Sequence, residues 1–199
     1  MIGHNRRYSP HAEKMRGWLV DRAKPAVINY RINAGKVPSD HWVHSDTQGR
    51  SRIVGEMTHF LDLMQYLLNE KITTISARRI GGDDHSIVNN DNLVATIQFD
   101  RGSVGSLIYT SEGNRALGRE YLEIFYDGKT ILSSNFRRSQ LMAGKKSEKF
   151  KTFSQSMGHA EEIKHFINCV LGKASASPFE AEYWTMKMAF ALEKSLVYK

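Results

Sequence analysis

The sequence of 199 residues contains a single cysteine and no hydrophobic run long enough to cross a membrane. Cys169 therefore has no partner for an internal disulfide, and its place on the apolar side of a helical pattern predicts a small core residue. A membrane-spanning helix needs about 20 apolar residues. The N-terminus also lacks the continuous apolar stretch of a secretory signal. These absences predict a cytoplasmic protein that makes no membrane contact.

The sequence also lacks G-x-G-x-x-G, the turn that binds dinucleotide phosphates after a β-strand. The nearest glycine clusters, Gly81-Gly82 and Gly102 to Gly105, lie in strand and turn surroundings. The remaining composition, 41% hydrophobic and 25% charged, is that of a globular chain long enough to bury one core. We therefore expect a globular chain without a dinucleotide-binding turn of its own.

Acidic residues are in the minority, with 21 Asp and Glu against 28 Lys and Arg and a net charge of +7. A basic surface attracts nucleic acid or a smaller anion such as a phosphorylated sugar, or it is simply solvated. The densest basic runs, Arg137-Arg138 and Lys145 to Lys151, have no interleaved aromatic residues on which bases would stack. We therefore expect no nucleic-acid partner.

Helical and strand signals follow one another along the chain. Ser9 is a capping residue ahead of Pro10 at a first helical position, so a helix is expected to run to about Arg22. In the middle of the chain the apolar period falls to two, with Asp100 to Gly102 and Asp127-Gly128 as turn signals. The predicted strands are Ala26 to Ile32, Ile72 to Arg79, Leu93 to Phe99, Val104 to Thr110, Tyr121 to Tyr126, Thr130 to Ser134 and Gln140 to Met142.

Two helical segments follow the strands. One carries an apolar stripe from Ala160 to Leu171, and the other opens at Ser177 to Glu180 with a capping box and Pro at its first position. A strand-rich middle flanked by helices predicts the α+β class. In that class we expect a large, mostly antiparallel open sheet with helices packed on one face.

The stretch Gly49 to Leu68 holds an amphipathic helix with an unusual polar face. Its apolar positions recur at helical spacing and would dock it onto a core. The opposite face, expected to meet water, carries His59 with Glu56 and Asp62 on either side at helical spacing. An imidazole within reach of two carboxyl groups has the composition of a proton-transfer site. A solvated or core-satisfied histidine is the alternative.

The same stretch resembles a helix in the C-terminal domain of the glucose-fructose oxidoreductase, inositol dehydrogenase and rhizopine-catabolism (Gfo/Idh/MocA) family of nicotinamide-dependent sugar dehydrogenases. In many members that helix opens with Asp-x-x-x-His, and the His is the catalytic acid/base. His59 matches this His, whereas Gly55 occupies the Asp position and Glu56 is the nearest carboxyl. The run is similar to G-E-x-x-H-F-x-D-L of a branch tied to polysaccharide or sugar-nucleotide metabolism. His4 to His11 and Asn29 to Trp42 extend the resemblance over nearly the whole chain.

The resemblance divides the chain in two. Residues 1–22 look like a remnant of the last Rossmann strand with its linking helix, and residues 23–199 like the C-terminal substrate and oligomerisation domain. The family's Glu-Lys-Pro motif is absent, and Lys24-Pro25 is only a superficial echo of it. The resemblance thus implies that NAD or NADP binds the full-length enzyme but not, tightly, this chain. A Rossmann domain in cis or in trans would then be its partner.

The resemblance also implies roles for individual residues. His59 would exchange the proton of a sugar hydroxyl during hydride transfer, while Glu56 or Asp62 would orient its ring or raise its pKa. Asn5 and the Arg6-Arg7 pair, at the junction of the two domains, would contact the cofactor or pin the domains together. The face of the sheet away from the helices would form a homo-oligomer.

A loop after the first predicted strand offers ligands for a sugar. Asn33, Lys36 and His41 are candidates for binding sugar hydroxyl or phosphate groups. Trp42 would pack on the apolar face of the ring, or else simply anchor a surface loop.

The same loop contains two histidines in H-x-x-H spacing, His41 and His44, between Asp40 and Asp46. A structural zinc site would need cysteine or more histidine nearby, and catalytic zinc sites need a further ligand. We expect no metal here.

Three classes of function fit these residues. The first is the substrate-binding and oligomerisation domain of an NAD(P)-dependent sugar or sugar-nucleotide dehydrogenase, inactive without its nucleotide-binding domain. The second is a stand-alone, non-catalytic binding or scaffolding protein of the same fold. The third, a nucleic-acid binder, is disfavoured by the scattered charge.

Overall fold

The structure, a computed structural model, describes residues 2–45, 51–81, 87–176 and 178–197. These residues form the predicted α+β fold, a large and mostly antiparallel open sheet with helices on one face. The helices are α1 (Pro10–Trp18), α2 (Thr58–Leu68), α3 (His159–Val170) and α4 (Phe179–Val197). The strands are β1 (Val27–Asn33), β2 (Ile72–Arg79), β3 (Leu93–Phe99), β4 (Val104–Thr110), β5 (Glu120–Tyr126), β6 (Lys129–Ser134), β7 (Arg138–Ala143) and β8 (Lys146–Lys151). Short 3-10 turns cover Asn5–Tyr8, Trp42–His44 and Asn89–Asp91, and a π-helical turn, Ile53–Met57, leads into α2.

The sheet places β1 near its centre, although β1 is the first strand in the chain. The order across the sheet is β2-β3-β4-β1-β5-β6-β7-β8. β1 is parallel to β4, and every other neighbouring pair of the described strands is antiparallel. Asn33, the last residue of β1, lies beside Thr110, the last residue of β4. The loops that follow these two strands therefore leave the sheet at the same end.

The strand predictions are confirmed except at the edge of the sheet. β2, β3 and β4 have the predicted bounds, and the other predicted strands differ only at their ends. β8 was not predicted, because its sequence KSEKFK is almost entirely charged or polar. β8 pairs only with β7 and is largely exposed. Charged side chains on such an edge strand discourage pairing with other chains.

Both predicted hairpin turns are present. Asp127 and Gly128 have φ angles of 46° and 71°, the left-handed pair that a tight two-residue hairpin turn requires. Gly102 has a φ angle of 92°, and a Cβ atom at this position would lie 3.2 Å from the ring of Pro25. Glycine at this position therefore allows both the turn and a close approach of the preceding loop.

The core lies between the sheet and the helices α2 and α4. Alternate residues of β1 point into it, and α2 is apolar around most of its circumference. The largest fully buried side chains are Tyr30, Tyr109, Phe60, Met15, Ile28, Ile32, Ile53, Met57, Leu61, Leu63, Met64 and Leu67. None of the helices in the described part of the chain is long and apolar enough to cross a membrane.

α1 begins as predicted and ends early. The Ser9 side chain accepts a hydrogen bond from the His11 N–H, which caps the helix ahead of Pro10. The helix stops at Trp18 rather than near Arg22, because the backbone changes there to 3-10 hydrogen bonding. The Leu19 N–H bonds to the Arg16 carbonyl at 3.0 Å instead of continuing the α-helical pattern.

α3 exposes the apolar stripe that the sequence showed. None of its residues is buried, and Ile163 and Val170 are 60% and 70% exposed. The prediction of Cys169 as a core residue is therefore wrong. It is half-buried, with its Sγ atom 3.5 Å from His165 Nε2, because α3 packs on the Asn5–Tyr8 turn rather than on the sheet. For α4, the predicted cap at Ser177 lies outside the described residues.

Candidate functional site

His59 lies on the first turn of α2, directly after the π-helical turn. It is half-buried, and its Nδ1 atom is buried without a hydrogen-bond partner among the described residues. Its ring meets the ring of His4 edge-on, with the centroids 5.6 Å apart. Burial, assisted by the positive charge of Arg6 and by the neighbouring His4, lowers the pKa of His59 to about 4. The imidazole is therefore neutral at physiological pH.

Asp62 is fully buried, which corrects the expectation that the polar face of this helix meets water. The N-terminal segment covers that face. Arg7 Nε donates to Asp62 Oδ2 at 2.9 Å, and His4 Nδ1 lies 3.2 Å from Asp62 Oδ1. Burial alone would raise the pKa of Asp62, but the contacts with His4 and Arg7 hold it below its usual value. Asp62 thus anchors residues from the start of the chain onto α2.

Glu56 is held from three directions. Arg52 Nε donates to Glu56 Oε2 at 2.9 Å, Arg119 donates to Oε1, and the Tyr109 hydroxyl donates to Oε2. Arg52 is itself buried and also donates to the Gly35 carbonyl at 3.0 Å. The carboxylate of Glu56 therefore joins the π-helical turn to the end of β4 and the start of β5, while Arg52 reaches the loop after β1.

Neither carboxylate hydrogen-bonds to His59 in the described part of the chain. The sequence interpretation was that Glu56 or Asp62 orients the ring of His59 or raises its pKa; neither forms a hydrogen bond with the ring here, and the pKa of His59 is lowered overall. Asp62 does act to raise the pKa of His59, but burial and the charge of Arg6 outweigh it. Both carboxylates are bound by arginines instead of by His59.

Asn5 and Arg6 make their polar contacts within this domain. Arg6 Nε and Nη2 donate to the two oxygens of Glu120 at 3.0 and 2.8 Å, and the Tyr30 hydroxyl also donates to Glu120. Asn5 Nδ2 donates to the Met157 carbonyl at 2.7 Å. These contacts attach Asn5 and Arg6 to the rest of the described chain, and both roles expected for the junction residues stay predictions.

Several residues of this cluster could not be predicted from the sequence. His4, Arg119, Glu120 and Tyr109 come from the N-terminal segment and from the ends of strands, far from Glu56 and Asp62 in the chain. Arg52 alone had a local signal, since it precedes Glu56 by one helical turn.

The structure brings Asn33 and Lys36 together in one pocket. The pocket has a volume of about 220 Å³ and is also lined by Arg115 and Arg119. Asn33 is buried at the end of β1, where its Nδ2 atom donates to the Asn114 carbonyl at 2.8 Å. Its Oδ1 atom has no partner among the described residues.

His41 and Trp42 do not line this pocket. Trp42 is 59% exposed, and the centroids of the Trp42 and His41 rings lie 5.5 Å apart. His44 lies 3.8 Å from Asp91, and Asp46 is outside the described residues. Among the described residues no cluster of His, Cys, Asp and Glu is arranged to hold a metal ion.

Comparison with known proteins finds similarity in structure only. No protein-family model matches the sequence, and a search of curated proteins finds no relative. A levoglucosan dehydrogenase solved with NADH and levoglucosan superposes on 100% of this chain, with a TM-score of 0.77 and 18% identity. A UDP-N-acetylglucosamine 3-dehydrogenase from Acidithiobacillus ferrooxidans superposes on 98%, with a TM-score of 0.76 and 17% identity. An oxidoreductase domain protein from Kribbella flavida superposes on 99%, with a TM-score of 0.77 and 14% identity.

The chain spans only part of each of these proteins, namely 64%, 60% and 64% of their lengths. Such neighbours are oxidoreductases of the Gfo/Idh/MocA type, and the part that matches is their C-terminal domain. At these identities the similarity shows a shared fold. The chain therefore has the fold of that domain, as the sequence resemblance implied.

Proposed function

We propose that this chain is the substrate-binding domain of an NAD(P)-dependent sugar or sugar-nucleotide dehydrogenase, with His59 as its acid/base. Two observations support the proposal. The fold is shared with solved sugar and sugar-nucleotide dehydrogenases. His59 stands beside the charged cluster as a neutral, half-buried imidazole. The assignment of His59 as the acid/base rests on this neutral, half-buried ring.

A neutral imidazole can take the proton of a sugar hydroxyl as the carbon is oxidised, and return it in the reverse direction. Burial and nearby cations keep His59 in this form over the physiological pH range. The surrounding ion pairs fix the backbone on both sides of the ring through Glu56 and Asp62. In this proposal the two carboxylates are positioning residues, and His59 is the catalytic residue.

Arg6 is bound to Glu120 and Asn5 to a carbonyl, so neither side chain offers a free donor to the pyrophosphate of a dinucleotide. We therefore assign the nicotinamide cofactor, which supplies the redox chemistry of such enzymes, to a nucleotide-binding domain acting in cis or in trans.

A stand-alone binding or scaffolding protein of the same fold is the second candidate. Gly55 stands where the resemblance has an aspartate, and the neighbouring Glu56 is bound by two arginines. A site that has lost the partner of its histidine would still bind a sugar without turning it over.

Replacing His59 tests the two candidates. In the chain combined with a nucleotide-binding domain, we expect His59→Asn to lower the NAD(P)-linked oxidation of the sugar by about 10² to 10⁴. The sugar should still bind, because the substitution removes only the group that moves the proton. Turnover is followed by the absorbance of NAD(P)H, and binding by calorimetry.

His159→Asn is the matched control, because His159 lies exposed on α3 and the proposal gives it no role. It should leave turnover within about twofold of the unaltered protein, as expected for an exposed substitution away from the site. Equal turnover in the His59 and His159 variants would refute the acid/base assignment. Sugar binding without any turnover in the unaltered protein would favour the scaffolding candidate.

A further inference from the structure

The pocket at the end of β1 is rich in positive charge. Lys36, Arg115 and Arg119 line it, and Asn33 is the other polar side chain in its wall. Arg119 is held by Glu56, but no ion pair engages Lys36 or Arg115 among the described residues. Glu112 is the nearest carboxylate along the same loop, yet it does not line the pocket and its Oε1 atom accepts from the Ser111 hydroxyl at 3.1 Å. The pocket therefore holds positive charge that the described chain leaves uncompensated.

Two glycines form part of the backbone wall of the pocket. Gly35 and Gly118 form part of its wall with φ angles of 78° and 62°, a conformation that side chains other than glycine rarely adopt. A Cβ atom on Gly118 would lie 2.3 Å from the Asn135 side chain, and one on Gly35 would lie 3.9 Å from Arg115 Nε. Arg115 thus lies over a bare stretch of backbone.

The pocket is connected to His59 through Arg119. Arg119 donates to Glu56, which lies one helical turn before His59, and its Nε atom lies 3.8 Å from Glu120. Glu120 in turn binds Arg6, one of the charges that act on His59. A ligand group in the pocket would therefore be linked to the proposed acid/base through Arg119 and Glu56.

We propose that this pocket binds a phosphate group carried by the sugar substrate, either a sugar phosphate or the diphosphate of a sugar nucleotide. The inference rests on the proposed function, because it treats the ligand as the substrate of the same site. Two uncompensated cations match the charge of a phosphate dianion better than they match neutral hydroxyl groups. Arginine and lysine both bind phosphate, arginine through paired N–H donors. Lys36 and Arg115 provide the charge, and Arg119 contacts both the pocket and Glu56.

Calorimetric titration of the whole chain at low ionic strength tests this assignment. The probes are inorganic phosphate, glucose 6-phosphate, UDP, neutral glucose and glucuronate. We expect glucose 6-phosphate or UDP to bind more tightly than glucose, and the double substitution K36M/R115M to weaken that binding by roughly tenfold or more. Preference for glucose 6-phosphate would indicate a sugar phosphate, and preference for UDP a sugar nucleotide.

The double substitution R101M/K145M is the control for net charge. Arg101 and Lys145 are exposed in turns at the opposite end of the sheet, and their loss removes the same charge. Circular dichroism should show both double variants to be folded, since all four side chains are exposed. The control should keep phosphate-ester binding within about twofold of the unaltered chain.

Three results would overturn the proposal: no binding of any phosphate ester, equal loss in both double variants, or tighter binding of glucuronate than of either ester. The last result would indicate a carboxylate ligand. Turnover of a neutral sugar that depends on His59 and survives K36M/R115M would leave the proposed function intact and remove only this inference.

Discussion

At the scale of the residue, most of the side chains that act on the pKa of His59 come from distant parts of the chain. The helical spacing of Glu56, His59 and Asp62 was readable from the sequence, because it depends only on the period of a helix. The arginines that bind the two carboxylates could not be predicted from the sequence. Arg7 comes from the N-terminal segment and Arg119 from the start of β5, and only tertiary packing brings them to the two carboxylates.

The same packing predicts the titration of His59. We expect its pKa near 4, because burial disfavours the charged ring and Arg6 adds positive charge nearby. NMR of the imidazole protons between pH 3 and about 8 measures it, with the His59→Asn spectrum as the assignment control. A midpoint near the usual value of about 6.5 would show that the ring is solvated instead.

His11 predicts how stability depends on pH. It is fully buried between the hydroxyls of Ser139 and Thr152, and burial lowers its pKa to about 4. Between that value and the pKa of the unfolded chain, only the unfolded state binds the proton. His11 alone should therefore lower the free energy of unfolding by about 2 kcal/mol between about pH 6.5 and 5, in addition to the fall that the lowered pKa of His59 contributes.

Urea denaturation at pH 7 and about pH 5 measures this loss. His11→Gln keeps polar groups near both hydroxyls but cannot titrate, so its stability should change less between the two pH values. An unchanged pH dependence in that variant would show that His11 is not the source.

At the scale of the element, the sequence predicted the sheet better than the surface of α3. Alternation of apolar and polar residues fixed β2 to β4, since one face of each strand is buried. The stripe on α3 has the same helical period as a core helix, yet it faces outward. Periodicity shows that a helix has an apolar face but not whether that face is covered by its own chain.

The exposed stripe predicts unequal costs for two kinds of substitution. F166S/V170S should change the free energy of unfolding by less than about 1 kcal/mol, because Phe166 and Val170 are 49% and 70% exposed. Met57→Ala should cost about 2 to 5 kcal/mol, because Met57 is fully buried and leaves a cavity. Urea denaturation compares the two. A loss in F166S/V170S as large as that in Met57→Ala would show that the stripe is packed in solution.

At the scale of the whole molecule, the face of the sheet away from the helices carries apolar residues in register. Val27 lies between Val104 and Phe125 on neighbouring strands, and Val94 lies opposite Ile108. All of these side chains are 39% to 48% exposed. Exposed apolar residues side by side on one face of a sheet are typical of an interface between copies of a chain.

We therefore expect a homodimer or higher oligomer formed through this face. Sedimentation at micromolar concentration should give a mass of at least twice the 22.7 kDa of the chain. V104E/I108E should shift the protein toward the monomer, because it places charges in the middle of the patch. The control Q155E/S175E adds the same charge at exposed positions outside the sheet and should leave more oligomer. A monomer for the unaltered chain would contradict the expectation.

The central position of β1 has a consequence for how the chain reaches its native state. Its two neighbours, β4 and β5, are made long after it, so a growing chain leaves the ribosome with β1 unpaired. Until both arrive, Ile28, Tyr30 and Ile32 lack the surroundings that bury them in the finished sheet. β5, β6, β7 and β8 need only short hairpins, whereas β1 must wait for contacts between distant parts of the chain. The strand that ends at the candidate site is thus the one whose pairing depends most on synthesis of the rest of the sheet.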